Sequence, residues 1–327
     1  MVMNGLRVID GALVRKLLDM ESCIEAMRDA FRVVSAGEVN QPLRTALFGK
    51  GSGLLGLMPG AIASPPSLGI KVVSIFPDNF AKRRPTHQGV VVLFDCDDGR
   101  PLAVLDAHAI TAIRTAAASA VATDLLARQG AGHLALLGYG DQATTHLAAL
   151  SRVRDLRAVT VWGRDPARAR AFAMQHAGSL PISVAATVEQ AIADADIVCT
   201  LTGATDPILL GRWLRPGMHL NAVGSSLPAM AELDADAVAR CRFFADCRAG
   251  AEQQAGEWRR AIAAGRVGPE HLLGEIGDVI LGKVAGRLNE DDITCFKSLG
   301  MAAEDMLAAS LVLRRALSQG LGTEVPF

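Results

Sequence analysis

The stretch His133-Leu134-Ala135-Leu136-Leu137-Gly138-Tyr139-Gly140-Asp141-Gln142-Ala143 decides the fold. Its first five residues read as a fully apolar strand, and the two glycines that follow mark a sharp turn. Gly138 permits the tight bend, Gly140 lets the backbone come close to a pyrophosphate, and the small Ala143 lets the next helix pack against the strand. That helix turns its free N–H groups toward the same point, the usual seat of a phosphate. A turn of this composition can also join strand to helix without a ligand; its place between an apolar strand and a helix favours the dinucleotide.

Working outward, residues 144–152 read as a helix, 158–162 as a strand, 166–176 as a helix, and 197–201 and 219–223 as further apolar strands. Strands alternating with helices at this pitch imply a parallel sheet wound by right-handed crossovers, a Rossmann-type doubly wound α/β domain. Upstream, apolar residues at helical spacing predict an amphipathic helix pair over 6–37. Short apolar runs at 54–58, 69–76 and 89–95 predict a sheet, with Asp97-Asp98-Gly99 as a hairpin turn. A long helix over 108–128 leads into the second domain. Downstream, a strand begins at Phe244, polar helices cover 252–265, and a last helix covers 297–317. The domains are therefore set at 1–112 with 305–327, an α+β unit, and 113–304, the Rossmann unit.

The residues at the end of the second Rossmann strand choose the cofactor, because an acid there accepts the ribose hydroxyls of NAD while an arginine suits the extra phosphate of NADP. Here the order is Val161-Trp162-Gly163-Arg164, with no acid at the expected place. Arg164 can stack on adenine and pair with a phosphate, so NADP(H) is preferred and NAD(H) stays possible. Asp165 leaves two readings open, as the ribose acid or as the start of the helix that Pro166 opens.

Composition narrows the partners. The chain has 327 residues, and its 33 basic and 34 acidic side chains nearly cancel. No block of like charge forms a stripe for nucleic acid or a membrane arm. No uncharged apolar run is long enough to span a bilayer, which points to the cytoplasm. The six cysteines lack a C-x-x-C pair and read as buried, reduced thiols; Cys241 and Cys247 beside Asp246 read as packing, so no metal is expected.

Six separated segments together resemble the ornithine cyclodeaminase and mu-crystallin family. They are Gln41-Pro42-Leu43-Arg44, Gly69-Ile70-Lys71 leading to Phe76-Pro77-Asp78-Asn79, Thr111 to Ala117, the glycine turn with Gln142 and His146, Asn221-Ala222-Val223-Gly224-Ser225, and Phe296-Lys297-Ser298-Leu299-Gly300. The resemblance implies a homodimer whose N-terminal segments and final helix form a substrate-binding and dimerisation domain. It further implies hydride transfer at a carbon bearing nitrogen and a carboxylate. It assigns Arg44 and Arg114 to the substrate carboxylate, and it places Thr86 and Arg114 by the cofactor. Thr200-Leu201-Thr202, Val223-Gly224-Ser225-Ser226 and Lys297 join the glycine turn as candidate cofactor residues at the carboxyl edge of the sheet.

Lys71 stands inside the apolar run Gly69-Ile70-Lys71-Val72-Val73, where a buried ammonium is costly unless it has a partner or a task. It is the candidate acid or base, in contact with substrate; the bland reading is an edge strand with Lys71 facing solvent. For Arg44 and Arg114 the bland reading is an ordinary salt bridge. His87 reads as structural and is left outside the site. In Gly224-Ser225-Ser226-Leu227-Pro228-Ala229-Met230, Ser226 and Met230 stand where cyclodeaminases carry an aspartate and a lysine. A serine cannot act as a carboxylate base at neutral pH, so the loop is more similar to the ketimine reductase branch. The expected activity is reduction of cyclic ketimino acids, Δ1-pyrroline-2-carboxylate or Δ1-piperideine-2-carboxylate, to L-proline or L-pipecolate. Cyclodeamination, alanine-type dehydrogenation and non-catalytic ligand binding are the competing readings.

Overall fold

In the computed structural model, which describes residues 5–49, 53–79, 82, 86–178 and 180–327, the chain opens with β1 (Gly5–Ile9), α1 (Gly11–Leu17), α2 (Met20–Ser35), β2 (Val39–Asn40), β3 (Thr45–Phe48), β4 (Leu54–Ile62), β5 (Ser67–Ile75), β6 (His87–Phe94) and β7 (Pro101–Asp106). There follow α3 (Ala107–Leu126), β8 (His133–Leu137), α4 (Asp141–Val153), β9 (Ala158–Trp162), α5 (Pro166–Gln175), β10 (Ile182–Val184), α6 (Val188–Ile192), β11 (Ile197–Thr200) and β12 (His219–Ala222). The chain closes with α7 (Ala235–Arg240), β13 (Arg242–Ala245), α8 (Arg248–Gln254), α9 (Gly256–Ala263), β14 (Leu272–Glu275), α10 (Ile276–Ile280), β15 (Thr294–Lys297), α11 (Ala302–Ser318) and β16 (Thr323–Pro326). Two compact units result, residues 1–114 with 300–327 and residues 115–299. These limits differ from the expected 112/113 and 304/305, and they place both Glu304 and Asp305 in the first unit.

The first unit is a mixed sheet in the order β16-β1-β7-β6-β5-β4-β2, with β3 also on β4. Period-two alternation divides its faces. Met58, Gly60, Gly69, Lys71, Val91 and Leu105 take one face, which α11 covers; Leu55, Leu68, Ile70, Val72, Val90 and Val92 take the other. Glycines let α11 lie unusually close. A Cβ on Gly60 would stand 2.9 Å from Ala302 Cβ, and one on Gly69 would meet Met306 Sδ at 2.6 Å. Because β5 runs between β4 and β6, the solvent-facing edge reading of Lys71 is excluded.

The second unit is a wholly parallel sheet, β10-β9-β8-β11-β12-β15-β13-β14. The strand order reverses between β8 and β11, the switch point at which open α/β sheets bind their ligands. The Rossmann reading holds.

Several expectations are corrected. Residues 6–9, read as part of a helix pair, belong to β1, because Arg7 and Ile9 are buried while Val8 is exposed, a strand's alternation. The last helix does not begin at Lys297. Residues 294–297 form a fully buried strand between β12 and β13, and Gly300, at φ +85°, separates it from α11. Cys96 is exposed and Cys247 half-buried, whereas Cys23, Cys199, Cys241 and Cys295 are buried as expected, and all six are free thiols. The 20-residue α3, which carries Arg114 and Asp124, is long and apolar enough to cross a membrane by length and hydropathy, and it is a core helix, 83% buried over its most apolar stretch.

Candidate active site

In the second unit, β8 ends at the glycine turn and α4 begins at Asp141. Gly138 takes φ +138°, and a Cβ there would lie 2.7 Å from the Leu201 carbonyl, so only glycine fits. Gly140 is the N-cap of α4 and offers no side-chain acceptor, leaving the first-turn N–H groups of α4 without a side-chain cap. A Cβ built on Gly140 meets nothing within 4 Å. A turn closed on one side and open at the helix start fits a pyrophosphate. Ala143 is buried, and Gln142 and Asp141 sit on the first turn. His146, one turn on, is buried between the Gln142 carbonyl at 2.7 Å and Ser119 Oγ at 2.9 Å; burial lowers its pKa to about 4, so it stays neutral and fastens α4 to α3.

The residues expected at the adenosine end stand at the end of β9. Trp162 is half-buried, and the Tyr139 ring fills the space that a Cβ on Gly163 would need. Asp165 caps α5, accepting from the N–H groups of Ala167 and Arg168 at 2.9 and 3.3 Å. Oδ1 of Asp165 is thus engaged in the helix start. Arg164 is exposed beside it, and Arg168, which the sequence reading missed, places its guanidinium 5.1 Å from the centre of the Tyr139 ring.

At the ends of β11 and β12 a fully buried carboxylate, Glu232, organises the backbone. It accepts from Thr200 Oγ1, the Thr202 N–H, Thr202 Oγ1 and the Gly224 N–H, each at 2.7 Å. Burial raises its pKa, and the hydrogen bonds of Thr200, the charge of Lys297 and the hydrogen bonds of Thr202 oppose that shift. Lys297 is also fully buried: its ammonium donates to the Ser225 carbonyl and Oγ and pairs with Glu257 at 2.9 Å. The Ser225 hydroxyl in turn donates to Glu257. The charged and hydroxyl groups of Thr200, Thr202, Ser225 and Lys297, expected to face a cofactor, are thus used inside the protein. They shape the strand ends, where Leu201, Val223, Gly224 and Ser226 follow.

The first unit gathers the cations. Lys71 Nζ lies 2.6 Å from Asp305 Oδ2, and Asp305 Oδ1 accepts from Arg114 Nε at 2.9 Å. Arg114 Nη1 donates to Glu304 at 2.5 Å. Lys71 is 3% exposed, Arg114 4%, and both acids 0%. Arg114 Nη2 packs where a Cβ on Gly300 would be, at 2.8 Å, so this glycine is required for space as well as for its positive φ. Arg44 is half-buried, its Cδ over Gly56 and beside Val73, two residues along the same sheet face from Lys71. Burial pulls the Lys71 pKa down to about 8; Asp305 opposes the shift, and Arg114 and Arg44 add to it.

His87 belongs to this neighbourhood. It pairs with Ile75 across the β5/β6 ladder, on the Lys71 face, and Thr86 Oγ1 lies 3.0 Å from its Nδ1. Surrounding protein, then His108, Lys71 and Arg44, lower its pKa. Sequence reasoning also missed Glu304 and Asp305. Their signal was present: two acids in the apolar run from Met301 to Ala309, the same anomaly that singled out Lys71.

A glycine turn at the switch point of a parallel sheet and a buried cation cluster that can hold a small anion define an NAD(P)-dependent oxidoreductase. A model of the Ornithine cyclodeaminase/mu-crystallin family matches residues 8–320, and the chain belongs to that family. It is 35% identical over 324 residues to a Δ1-pyrroline-2-carboxylate reductase of Bacillus cereus, covering 98% of this chain and 99% of that one. It is 38% identical over 290 residues to the ketimine reductase mu-crystallin of Mus musculus, covering 88% and 89%. Its fold matches the structure of Thermococcus litoralis Δ1-pyrroline-2-carboxylate reductase in complex with NADH and L-proline, with a TM-score of 0.95 and 32% identity over 98% and 100% of the two chains.

Proposed function

We propose that this enzyme reduces small cyclic ketimino acids, Δ1-pyrroline-2-carboxylate and Δ1-piperideine-2-carboxylate, to L-proline and L-pipecolate. The observation that carries the reading is the buried grouping of Lys71 and Arg114 on Glu304 and Asp305, with Arg44 on the same sheet face. Such a group suits a small carboxylate such as the substrate's, with arginines as the hydrogen-bonding forks.

Bound nicotinamide supplies the hydride to the imine carbon. The nitrogen then needs a proton, and the Lys71 ammonium, with its pKa near 8, can release one at neutral pH and recover it from water. Arg44 and the Arg114 fork orient the carboxylate. Ser226, without a carboxylate, favours reduction of a preformed imine over cyclodeamination.

NADP(H) is the preferred cofactor in this reading, with NAD(H) possible. Arg164 is exposed at the end of β9, and Asp165 is held as a helix cap. We also infer a homodimer formed on the outer sheet face of the first unit, where Val8, Leu55, Leu68 and Val90 are each more than a third exposed. The six free cysteines accord with a reducing, cytoplasmic setting.

The test is purified protein with NADPH and each imine, followed by loss of NADPH absorbance and by chiral analysis of the product. Reduction to the L-amino acid is expected. Protein that binds NADPH yet leaves both imines untouched at high enzyme concentration overturns the reading, and ammonia release from L-ornithine would replace it with cyclodeamination.

A further inference from the structure

Asp305 touches two of the groups on which the imino-acid reading depends. One oxygen is 2.6 Å from the Lys71 ammonium and the other accepts from Arg114 Nε at 2.9 Å, with no part of the carboxylate exposed. We propose that Asp305 is a positioning residue for imine reduction, which locks the proton donor Lys71 to the carboxylate-holding Arg114 and keeps Lys71 charged until the substrate nitrogen takes its proton.

The inference rests on the reductase reading above and goes one step further into the same site. The charged and titratable groups around Lys71 are Asp305 and Glu304 from α11, Arg114 and His108 from α3, Arg44 ahead of β3, and His87 on β6. Burial and the two arginines all favour the neutral amine, so Asp305 is the group in direct contact that favours the ammonium. Its backbone is fixed by packing. The approach of α11 over Gly60 and Gly69, through Ala302 and Met306, brings the next helical position, Asp305, onto Lys71.

The proton balance gives the same residue a second task. Each turnover adds one hydride to carbon and one proton to nitrogen, and leaves Lys71 neutral. Asp305 then faces a neutral amine on one side, and a buried carboxylate so placed draws a proton back to Lys71 from water. A donor that must recharge in every cycle benefits from a fixed anion.

The experiment is the pH profile of kcat/KM for Δ1-pyrroline-2-carboxylate with NADPH. In the wild type it should be flat below about pH 8 and fall above it, because the ammonium is the active form and is lost as pH rises through its folded pKa. Asp305→Asn should move that fall to lower pH by about one unit or more. It should lower kcat about tenfold or more, with the Kd for NADPH, from fluorescence titration, unchanged. Asp305→Glu keeps the charge and displaces it; kcat should drop with the alkaline limb in place, and this variant carries the test if Asp305→Asn does not fold. A wild-type profile and wild-type kcat in either folded variant overturn the proposal and leave the reductase reading standing. A wild type that neither reduces the imine nor binds L-proline in calorimetry overturns both.

Discussion

Replacing Gly60 with alanine should damage the cation cluster from a distance. The added Cβ would stand 2.9 Å from Ala302 Cβ, where carbon contacts normally settle at about 3.5–4.0 Å. Neither atom can rotate away, since one is fixed to a central strand and the other to the first turn of α11. The helix must therefore retreat by roughly 0.6–1.1 Å at that point. Asp305 is three residues further along α11, so its 2.6 Å contact with Lys71 lengthens with it. Overpacking of this kind costs about 1–3 kcal/mol, and a misplacement of about 1 Å can cost up to about 100-fold in rate. The expected outcome for Gly60→Ala is a lowered Tm, a kcat/KM for imine reduction down about 10- to 100-fold, and an NADPH Kd equal to wild type. The companion variant Gly60→Ala/Ala302→Gly returns the missing space and should recover most of both losses, giving a large coupling energy in a double-mutant cycle. Single and double variants with identical losses, or a single variant with wild-type activity and Tm, would refute the idea that sheet glycines set the Lys71–Asp305 distance.

Glu232→Gln must turn an amide NH2 toward either the Thr202 or the Gly224 N–H, each now 2.7 Å from a carboxylate oxygen. An unsatisfied donor costs about 1–3 kcal/mol, so thermal unfolding should show a Tm lower by about 2–4 °C per kcal/mol, and an unchanged Tm would count against the clamp. Lys297→Met strands the buried Glu257 carboxylate and should destabilise by about 3–5 kcal/mol in urea unfolding; a loss below about 1 kcal/mol would mean the pair is not a buried ion pair in solution. Under the proposal that Arg164 reads the 2′-phosphate of NADPH, Arg164→Ala should raise Kd for NADPH about 10- to 100-fold with Kd for NADH constant; equal effects on both would assign Arg164 elsewhere. Val90→Glu puts a charge on the outer sheet face and should give monomers by light scattering with the secondary structure kept, whereas an unaltered oligomeric state excludes that face.

What the sequence made legible was what a backbone or an isolated charge must do. Gly138, Gly140 and Ala143 could be read because a close backbone approach admits few residue types, and Lys71 because an ammonium in an apolar run has few explanations. The adenosine end was half legible: Arg164 stood out, but the cap on α5 that occupies Asp165 depends on the dihedral angles of that turn. The partners of the buried charges were hidden by distance along the chain. Lys71 and Asp305 are far apart in sequence, as are Glu232 with Thr200 and Lys297 with Ser225. Lys297 read as the start of the last helix because the run 294–297 is too short for its period to tell, and its place in a strand between β12 and β13 comes from pairing with strands far upstream.

Three buried acids, Glu232 and Glu257 in the second unit and Asp305 in the first, each hold more than one donor. Asp305 fixes charged side chains that a substrate would meet, whereas Glu232 and Glu257 fix main chain and a hydroxyl where the sheet ends. The distinction follows from what each ligand asks of the protein. A dinucleotide phosphate is held by N–H groups, and these must point outward from strand ends that cannot drift. A small imino acid offers one carboxylate and one nitrogen, so it needs side chains, and these keep their places only against a counter-ion. Buried acids in this fold thus act as anchors, and removing one should alter where the working groups stand before it alters whether the chain folds.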